Sequence, residues 1–184
     1  APLRSGRMAE RTAGTRVVLI RHGESNVTVE QRVSSAATCT GLSDLGRAQA
    51  ERLRDRLAET GEIAPGPDVF LYASGYRRAL ETAEIIAPAL DIDKVAVDEG
   101  FGEQDPGRTC DGILFNEFVE RYGRPAWDGN PYAMIFPDGE TVAAFDLRVG
   151  NALAGVLDRH AGGTVVIVCH GGVIDRVLRQ MLRG

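Results

Sequence analysis

Cysteine is scarce in this sequence, and its spacing excludes the small disulfide-stapled folds. Three cysteines are present among the 184 residues, and no two of them form a Cys-x-x-Cys pair. Widely separated thiols of this kind are typical of proteins kept in a reducing compartment. We therefore expect Cys39, Cys110 and Cys169 to be reduced and the protein to be cytoplasmic.

Long apolar runs and an excess of basic residues are also missing. The longest apolar stretches, residues 17–20 and 165–169, have the length of strands, whereas a bilayer-spanning helix needs about 20 residues. The formal net charge is −5, whereas a general nucleic-acid binder normally carries a basic face. We therefore predict no membrane partner and no nucleic-acid partner.

The length and composition of the chain predict one compact domain. With 43% hydrophobic and 26% charged residues, the chain can bury a core without a metal or disulfide staple. Residues 1–15 carry three arginines but lack the apolar centre of a signal peptide, so they are predicted to form a flexible leader. The single domain is expected to cover residues 16–184.

Strand-like and helix-like segments alternate along the chain. Short β-branched runs predict strands at residues 16–21, 68–73, 94–97 and 164–169. Amphipathic spacing and end signals predict helices at residues 44–57, 78–87, 112–122, 140–160 and 171–182, the first of them capped by Ser43. This alternation predicts an α/β fold, a three-layer α/β/α sandwich around a mostly parallel central sheet.

Residues with catalytic side chains stand where the predicted strands end. Arg21 and His22 end the first strand, Ser74 follows the second, and His170 follows the last. Ligands of parallel sheets collect at the carboxyl ends of the strands. These residues, although distant in sequence, can therefore converge on one site.

The tripeptide Arg21-His22-Gly23 suits phosphoryl transfer. Imidazole offers an unprotonated nitrogen at neutral pH, and a neighbouring guanidinium presents a planar fork to phosphate oxygens. A tripeptide alone is weak evidence, because a given one occurs by chance in roughly one chain in fifty of this length. Its place at a strand end, matched by His170-Gly171-Gly172 at another, makes coincidence a poor explanation.

Four segments resemble the histidine phosphatase superfamily, which includes the cofactor-dependent phosphoglycerate mutases, and they occur in the family's order. They are residues 21–25, 41–50, 73–83 and 168–173. The resemblance implies a phosphoglycerate mutase-like fold with His22 as the nucleophile. It places the phosphate-binding role on Arg78 rather than Arg77, and it gives His170 a contact to the phosphate.

Elementary chemistry supports the same group of residues. Two guanidinium groups and two imidazoles can surround the three equatorial phosphoryl oxygens and stabilise their charge without a metal ion. Arg78 could instead be a solvated helix arginine, and His170 a histidine satisfied in the core. Against the second alternative, Gly171 and Gly172 leave backbone N–H groups available to an anion at a helix start.

The leaving group needs a proton donor, and a carboxylic acid near a phosphate can serve. The spacing from Glu103 to Gly107 resembles the family's acid segment, although Phe101 and Gly102 replace the usual Leu and Arg. We predict Glu103 as the acid, with Asp105 and Glu99 as rivals.

Further substrate contacts are predicted at Asn26, Thr28, Arg32, Ser74 and Gly171. Each has an ordinary alternative: Arg32 could face solvent, and Ser74 could cap its helix. His160 is predicted to be structural, at a helix end where the dipole favours a cation. The loops over residues 107–139 are expected to select the substrate, with Trp127, Tyr132 and Phe136 as candidate walls.

The predicted function is that of a metal-independent histidine acid phosphatase-type enzyme. It would hydrolyse a phosphomonoester of a small metabolite through a phosphohistidine, without cofactor, as a monomer or homodimer. The alternatives are a phosphoglycerate mutase-type phosphoryl transfer and a non-catalytic phospholigand-binding protein on the same fold. A zinc hydrolase using His22 and His170 lacks a third convincing ligand and a His-x-x-x-His pair.

Overall fold

A four-stranded parallel sheet forms the centre of the molecule. The computed structural model describes residues 14–182. The strands are β1 (Arg16–Arg21), β2 (Val69–Ala73), β3 (Ala96–Val97) and β4 (Thr164–Cys169), in the spatial order β1-β4-β2-β3. The predicted leader lies outside the described residues except for positions 14 and 15. The predicted extent of the single domain stays a prediction.

The middle position of β4 follows from its sequence. Its residues Val165 to Cys169 are all buried, because the strand is apolar on both faces. It pairs with β1 so that Arg21 lies opposite Cys169, and with β2 so that Ala73 lies opposite Val168. The carboxyl ends of these three strands are therefore level with one another.

Helices cover both faces of the sheet. They are α1 (Asn26–Val29), α2 (Asp44–Thr60), α3 (Arg77–Ile86), α4 (Gly107–Cys110), α5 (Phe115–Tyr122), α6 (Val142–Arg159) and α7 (Gly171–Leu182). One core cluster joins α2 and α3 to Val166 and Val168, and a second joins α6 and α7 to Val165 and Ile167. Alternate residues of β4 thus enter opposite cores, and the predicted three-layer sandwich is confirmed.

Side-chain caps fix two helix starts. Ser43 caps α2 as predicted, since its Oγ accepts from the N–H of Gly46 at 3.1 Å. The helix predicted from residue 140 instead begins at Val142, because Thr141 is its cap and accepts from Ala144 at 3.1 Å.

Other predicted boundaries also differ from the structure. The helix predicted over residues 112–122 begins at Phe115, because Gly112 has a φ of 84° and Leu114 forms an isolated bridge with Arg32. The third predicted strand shortens to Ala96–Val97. After α3 the chain continues into a 3₁₀ turn, Ala87–Leu90, in which Pro88 occupies a first-turn position that needs no N–H. Among residues 14–182, no helix is both long enough and apolar enough to cross a membrane.

Candidate active site

Two imidazole rings meet above the carboxyl ends of β1 and β4. The N–H of His22 continues the ladder to the carbonyl of Cys169 at 3.0 Å, and the N–H of Ser74 donates to Val168 at 3.1 Å. The ring centres of His22 and His170 lie 5.1 Å apart in an edge-on arrangement. The parallel register therefore brings together side chains that are 148 positions apart in the chain.

The surroundings of His22 define which ring nitrogen carries its proton. Nδ1 lies 2.6 Å from the carbonyl oxygen of Gly23, which can only accept, so we assign the proton to Nδ1. Nε2 is then unprotonated, and its lone pair accepts from Nε of Arg78 at 3.1 Å. A side chain at Gly23 would place Cβ 2.5 Å from the carbonyl oxygen of Gly46, so only glycine fits beside this histidine.

Burial keeps His22 uncharged. Burial is the largest cause that lowers the pKa of His22 from 6.5 to about 4; the bond to Gly23 opposes this shift, and the positive charges of Arg78 and Arg21 add to it. At neutral pH the ring is therefore a neutral base with an accessible nitrogen. This is the protonation state that a nucleophilic imidazole requires.

His170 is completely buried and has one unsatisfied nitrogen. Its Nε2 lies 2.7 Å from Oγ of Ser74, and Ser74 in turn accepts from the N–H of Tyr76 at 3.4 Å. The serine hydroxyl is thus free to donate to Nε2, which places the proton on Nδ1. Within residues 14–182, Nδ1 of His170 has no hydrogen-bond partner. Burial lowers the pKa of His170 well below 6.5, so the ring is neutral.

Ser74 has a different neighbour from those predicted for it. Ser74 is 0% exposed and does not line the cavity beside His22. The N-cap of α3 is Tyr76, which has no side-chain capping bond. The structure therefore places Ser74 behind His170, where it fixes the orientation of that ring.

The two adjacent arginines at the start of α3 have opposite environments. Arg77 faces solvent and pairs with Glu81 at 2.8 Å along the helix. Arg78 is only 6% exposed; its guanidinium lies over the ring of Tyr76, 4.5 Å from the centroid, and donates to Sγ of Cys39 at 3.4 Å. Of the two, Arg78 is the one that reaches His22.

Arg21 and Arg78 are left without a neutralising carboxylate. Within residues 14–182, neither makes an ion pair, although most other arginines at the site do. Arg78 is buried, and a buried charge without a partner is costly to maintain, whereas Arg21 is exposed. The two guanidinium groups therefore place positive charge near His22 that no carboxylate of the described residues balances.

Of the three carboxylates considered as the acid, Glu103 alone lines this cavity. Its Oε2 accepts from the N–H of Gly172 at 3.1 Å, and its Oε1 from the N–H of Gln104 at 3.1 Å. Asp105 and Glu99 are exposed and border a separate groove. A Cβ at Gly172 would collide with the carboxylate of Glu103, so the second glycine after His170 makes room for that side chain.

A cavity of about 540 Å³ opens in front of His22. Its walls come from the strand ends, the segment around Glu103, the loop before α6 and one face of α7. They include Arg21, His22, Val27, Thr28, Arg32, Val33, Arg78, Glu103, Gln104, Trp127, Asp128, Phe136, Phe145, Gly172, Asp175, Arg176 and Arg179.

The predicted substrate contacts divide into two groups. Thr28 and Arg32 line the cavity, whereas Asn26 and Gly171 do not. Arg32 is held by Glu30 at 2.8 Å and by the carbonyl of Gly112 at 2.7 Å. Gly171 is exposed at the start of α7, and its neighbour Gly172 forms the wall in its place.

Among the predicted aromatic walls, Trp127 and Phe136 line the cavity, and Tyr132, 78% exposed, does not. Sequence reasoning missed three wall residues of α7, namely Asp175, Arg176 and Arg179. The sequence did contain a signal for them, because these residues and Gly172 have the spacing of one face of a helix that starts after His170.

The remaining candidates have structural surroundings. Burial raises the pKa of Cys169 to about 12, so its thiol stays protonated in the core as expected. His160 stacks on Phe70 with 3.7 Å between ring centres and bonds the hydroxyl of Tyr72 at 2.7 Å. Burial lowers the pKa of His160, which opposes the effect of the helix dipole. Within residues 14–182, no three His, Cys, Asp or Glu side chains form a group that could hold a metal ion.

The lowered pKa of His22 predicts a stability that falls in mild acid. The unfolded chain binds a proton at His22 near pH 6.5, whereas the folded protein resists it down to about pH 4. The contribution is thus fully present above pH 6.5 and is lost as the pH falls towards 4. Relative to His22→Asn, we expect the wild type to lose about 2 kcal/mol more between pH 7.5 and 5.

Urea unfolding at a series of pH values measures this difference. The Asn variant is the matched control, because it keeps a polar side chain of similar shape but does not titrate. Parallel pH curves for the two proteins would contradict a buried neutral His22.

Comparison with known proteins shows the family of this chain. The profile of the histidine phosphatase superfamily (branch 1) matches residues 17–184, and the chain belongs to this superfamily. It is 31% identical over 161 residues to phosphoglycerate mutase-like protein 4 of Arabidopsis thaliana, covering 86% of this chain and 67% of that protein. It is also 31% identical over 157 residues to phosphoserine phosphatase 1 of Hydrogenobacter thermophilus, covering 84% and 70%.

Solved structures show the same phosphoglycerate mutase-like fold. A mycobacterial glucosyl-3-phosphoglycerate phosphatase superposes with a TM-score of 0.76 at 25% identity, covering 92% of this chain and 80% of that one. Some relatives are much longer: the chain spans 48% of the length of a bifunctional protein of Mycobacterium tuberculosis that it matches at 30% identity. The chain is thus a histidine phosphatase-fold protein with phosphatases among its relatives.

Proposed function

We propose that this protein is a metal-independent phosphomonoester hydrolase that works through a phosphohistidine on His22. The observation that carries the proposal is the unprotonated Nε2 assigned to His22, near the guanidinium groups of Arg21 and Arg78, neither of which makes an ion pair within residues 14–182. A phosphoryl group placed there neutralises both charges. It also supplies the acceptor that Nδ1 of His170 lacks.

The reaction has two steps at phosphorus. In the first, the lone pair of His22 Nε2 forms the N–P bond while the ester P–O bond breaks in line, and Glu103 donates its proton to the departing oxygen. In the second, the Glu103 carboxylate takes a proton from a water molecule as the water oxygen attacks phosphorus, the N–P bond breaks, and inorganic phosphate leaves with Glu103 protonated again. Arg21, Arg78 and His170 stabilise the equatorial oxygens in both steps.

Metal independence rests on charge. The two guanidinium groups match the charge of a phosphate dianion, and burial of Arg78 strengthens its share of that attraction. No group of three or more carboxylate, imidazole or thiolate side chains lies together within residues 14–182.

The charges on the far wall favour a small substrate with one phosphate. Arg176 pairs with Asp175 at 2.5 Å, and Arg179 pairs with Asp175 at 2.9 Å and with Asp128 at 3.1 Å. These arginines are therefore already neutralised, unlike the two beside His22. The rest of the substrate meets paired charges and apolar side chains such as Trp127, an environment that suits an uncharged or zwitterionic metabolite better than a second phosphate.

A phosphate-release assay tests this function. We expect inorganic phosphate to be released from one or more of sugar phosphates, phosphoserine, phosphoglycerates and nucleoside monophosphates, at equal rates with and without EDTA. Transfer of the phosphoryl group to a second hydroxyl without phosphate release would instead indicate a mutase. Tight phosphate binding without turnover would indicate a binding protein, and loss of activity in EDTA would overturn metal independence.

A further inference from the structure

Arg148 of α6 lies behind Glu103, on the side away from His22 of the segment that contains Glu103, residues 100–105, here called the acid segment. It is not one of the cavity walls, and its side chain is 29% exposed. Its guanidinium forms a two-point ion pair with Glu140, Nε to Oε1 at 2.9 Å and Nη2 to Oε2 at 2.7 Å. The ion pair holds the guanidinium plane in one orientation.

The other N–H groups of Arg148 all donate to the backbone of the acid segment. Nη1 donates to the carbonyls of Gly100 and Gly102, each at 3.0 Å, and Nη2 donates to the carbonyl of Glu103 itself at 3.2 Å. Together with the two bonds to Glu140, these use every N–H of the guanidinium. One side chain thus satisfies carbonyls that have no place in the sheet.

Glu140 reaches the same segment from its other side. Its N–H donates to the carbonyl of Asp105 at 2.8 Å, and its carbonyl accepts from Nε2 of Gln104 at 2.7 Å. The residues just before and just after Glu103 are therefore tied to a single ion pair. The carboxylate is left to reach Gly172 across the cavity.

We propose that Arg148, oriented by Glu140, is a positioning residue that holds the backbone of Glu103 so that its carboxyl group can protonate the leaving oxygen. This inference rests on the proposed function, in which Glu103 is the acid. Lysine cannot replace arginine here, because an ammonium group has three donors and no fixed plane. A small shift of Glu103 is enough to weaken proton transfer, which depends on hydrogen-bond distance.

The test compares leaving groups in Arg148→Lys. p-Nitrophenolate leaves without help from an acid, whereas a simple alkoxide needs a proton. We expect kcat/KM for an alkyl phosphate to fall about 10- to 100-fold and kcat/KM for p-nitrophenyl phosphate to fall less than about threefold. Inhibition by inorganic phosphate should stay unchanged, because Arg148 does not contact the anion. kcat/KM is the parameter of choice because it reports the first step alone.

Two further variants separate the possible outcomes. Arg159→Lys, at the exposed end of the same helix, is the matched control and should change neither substrate. In Glu103→Gln the same selective loss is expected, and adding Arg148→Lys to it should cost nothing more for the alkyl phosphate. Glu140→Gln, which weakens the ion pair, should give the selective loss to a smaller degree, and it serves as the test if Arg148→Lys does not fold.

Equal losses for both substrates in Arg148→Lys, or multiplicative losses in the double variant, would overturn the positioning role. If Glu103→Gln itself shows no preference between the leaving groups, then the acid assignment in the proposed function fails. A selective loss in Glu103→Gln without one in Arg148→Lys or Glu140→Gln removes only the role of Arg148.

Discussion

Replacing His22 with alanine should abolish phosphate release, with a loss of about 10⁴-fold or more in kcat. The variant has no atom that can take the phosphoryl group, because the adjacent His170 uses Nε2 to bond Ser74 and carries its proton on Nδ1. The fold should persist, since His22 is partly exposed at the cavity floor and its ring makes no contact that the sheet requires. Phosphate release and the circular dichroism spectrum measure the two expectations.

Rapid acid-free quenching of the wild type with substrate should show an acid-labile phosphoryl group on the peptide that contains His22. His160→Gln is the matched control among the three histidines of the chain, because His160 packs between α6 and β2, away from the cavity. It should keep full turnover. Full activity of His22→Ala, or a phosphoryl group recovered on another residue, would remove His22 from the nucleophilic role.

The sequence alone was sufficient to predict the central sheet, because its strand patterns are unusually clear. Residues 164–169 are apolar at nearly every position, which is the pattern of a strand buried on both faces, and the structure places them as β4 in the middle of the sheet. Once the strands are parallel, their ends must lie together. The meeting of His22 and His170 then follows from topology and not from any local signal.

The contacts that hold the site residues in place could not be predicted from the sequence in this way. The contacts of Arg148 depend on which face of α6 turns towards a segment with no regular structure, and helical spacing alone does not tell one charged position from another. The bond from Gly172 to Glu103 joins residues 69 positions apart through a backbone N–H, which no side-chain pattern records. The bond between Ser74 and His170 also joins distant positions, and no local pattern in the sequence records it.

The choice between Arg77 and Arg78 separates what the sequence pattern predicts from what only the structure explains. Both lie in the first turn of α3, and because they are the same residue type, residue type alone does not distinguish their roles. The family resemblance selected Arg78, and the direction in which α3 leaves the sheet gives the physical reason. One residue along a helix turns a side chain by about 100°, which separates a buried guanidinium from a solvated one.

The pair therefore offers a matched experiment at the site. Arg78→Lys should lower kcat/KM by about 100- to 1,000-fold, the loss typical of a removed transition-state donor, whereas Arg77→Lys should change it less than about threefold. Lysine keeps the charge at position 78 but loses the planar fork and the Nε–H that donates to His22. Steady-state kinetics on one phosphomonoester compares the two directly.

Chemical rescue sharpens the assignment. In Arg78→Ala, added guanidinium ion should restore part of the lost activity, because the space beside Tyr76 and Cys39 is shaped for a planar cation that lies over the aromatic ring. The same addition should leave Arg77→Ala unchanged, since that side chain was solvated and paired only with Glu81. Similar kinetic losses at the two positions would mean that charge near the mouth of the site, and not a positioned donor on the phosphoryl group, accounts for the effect of Arg78.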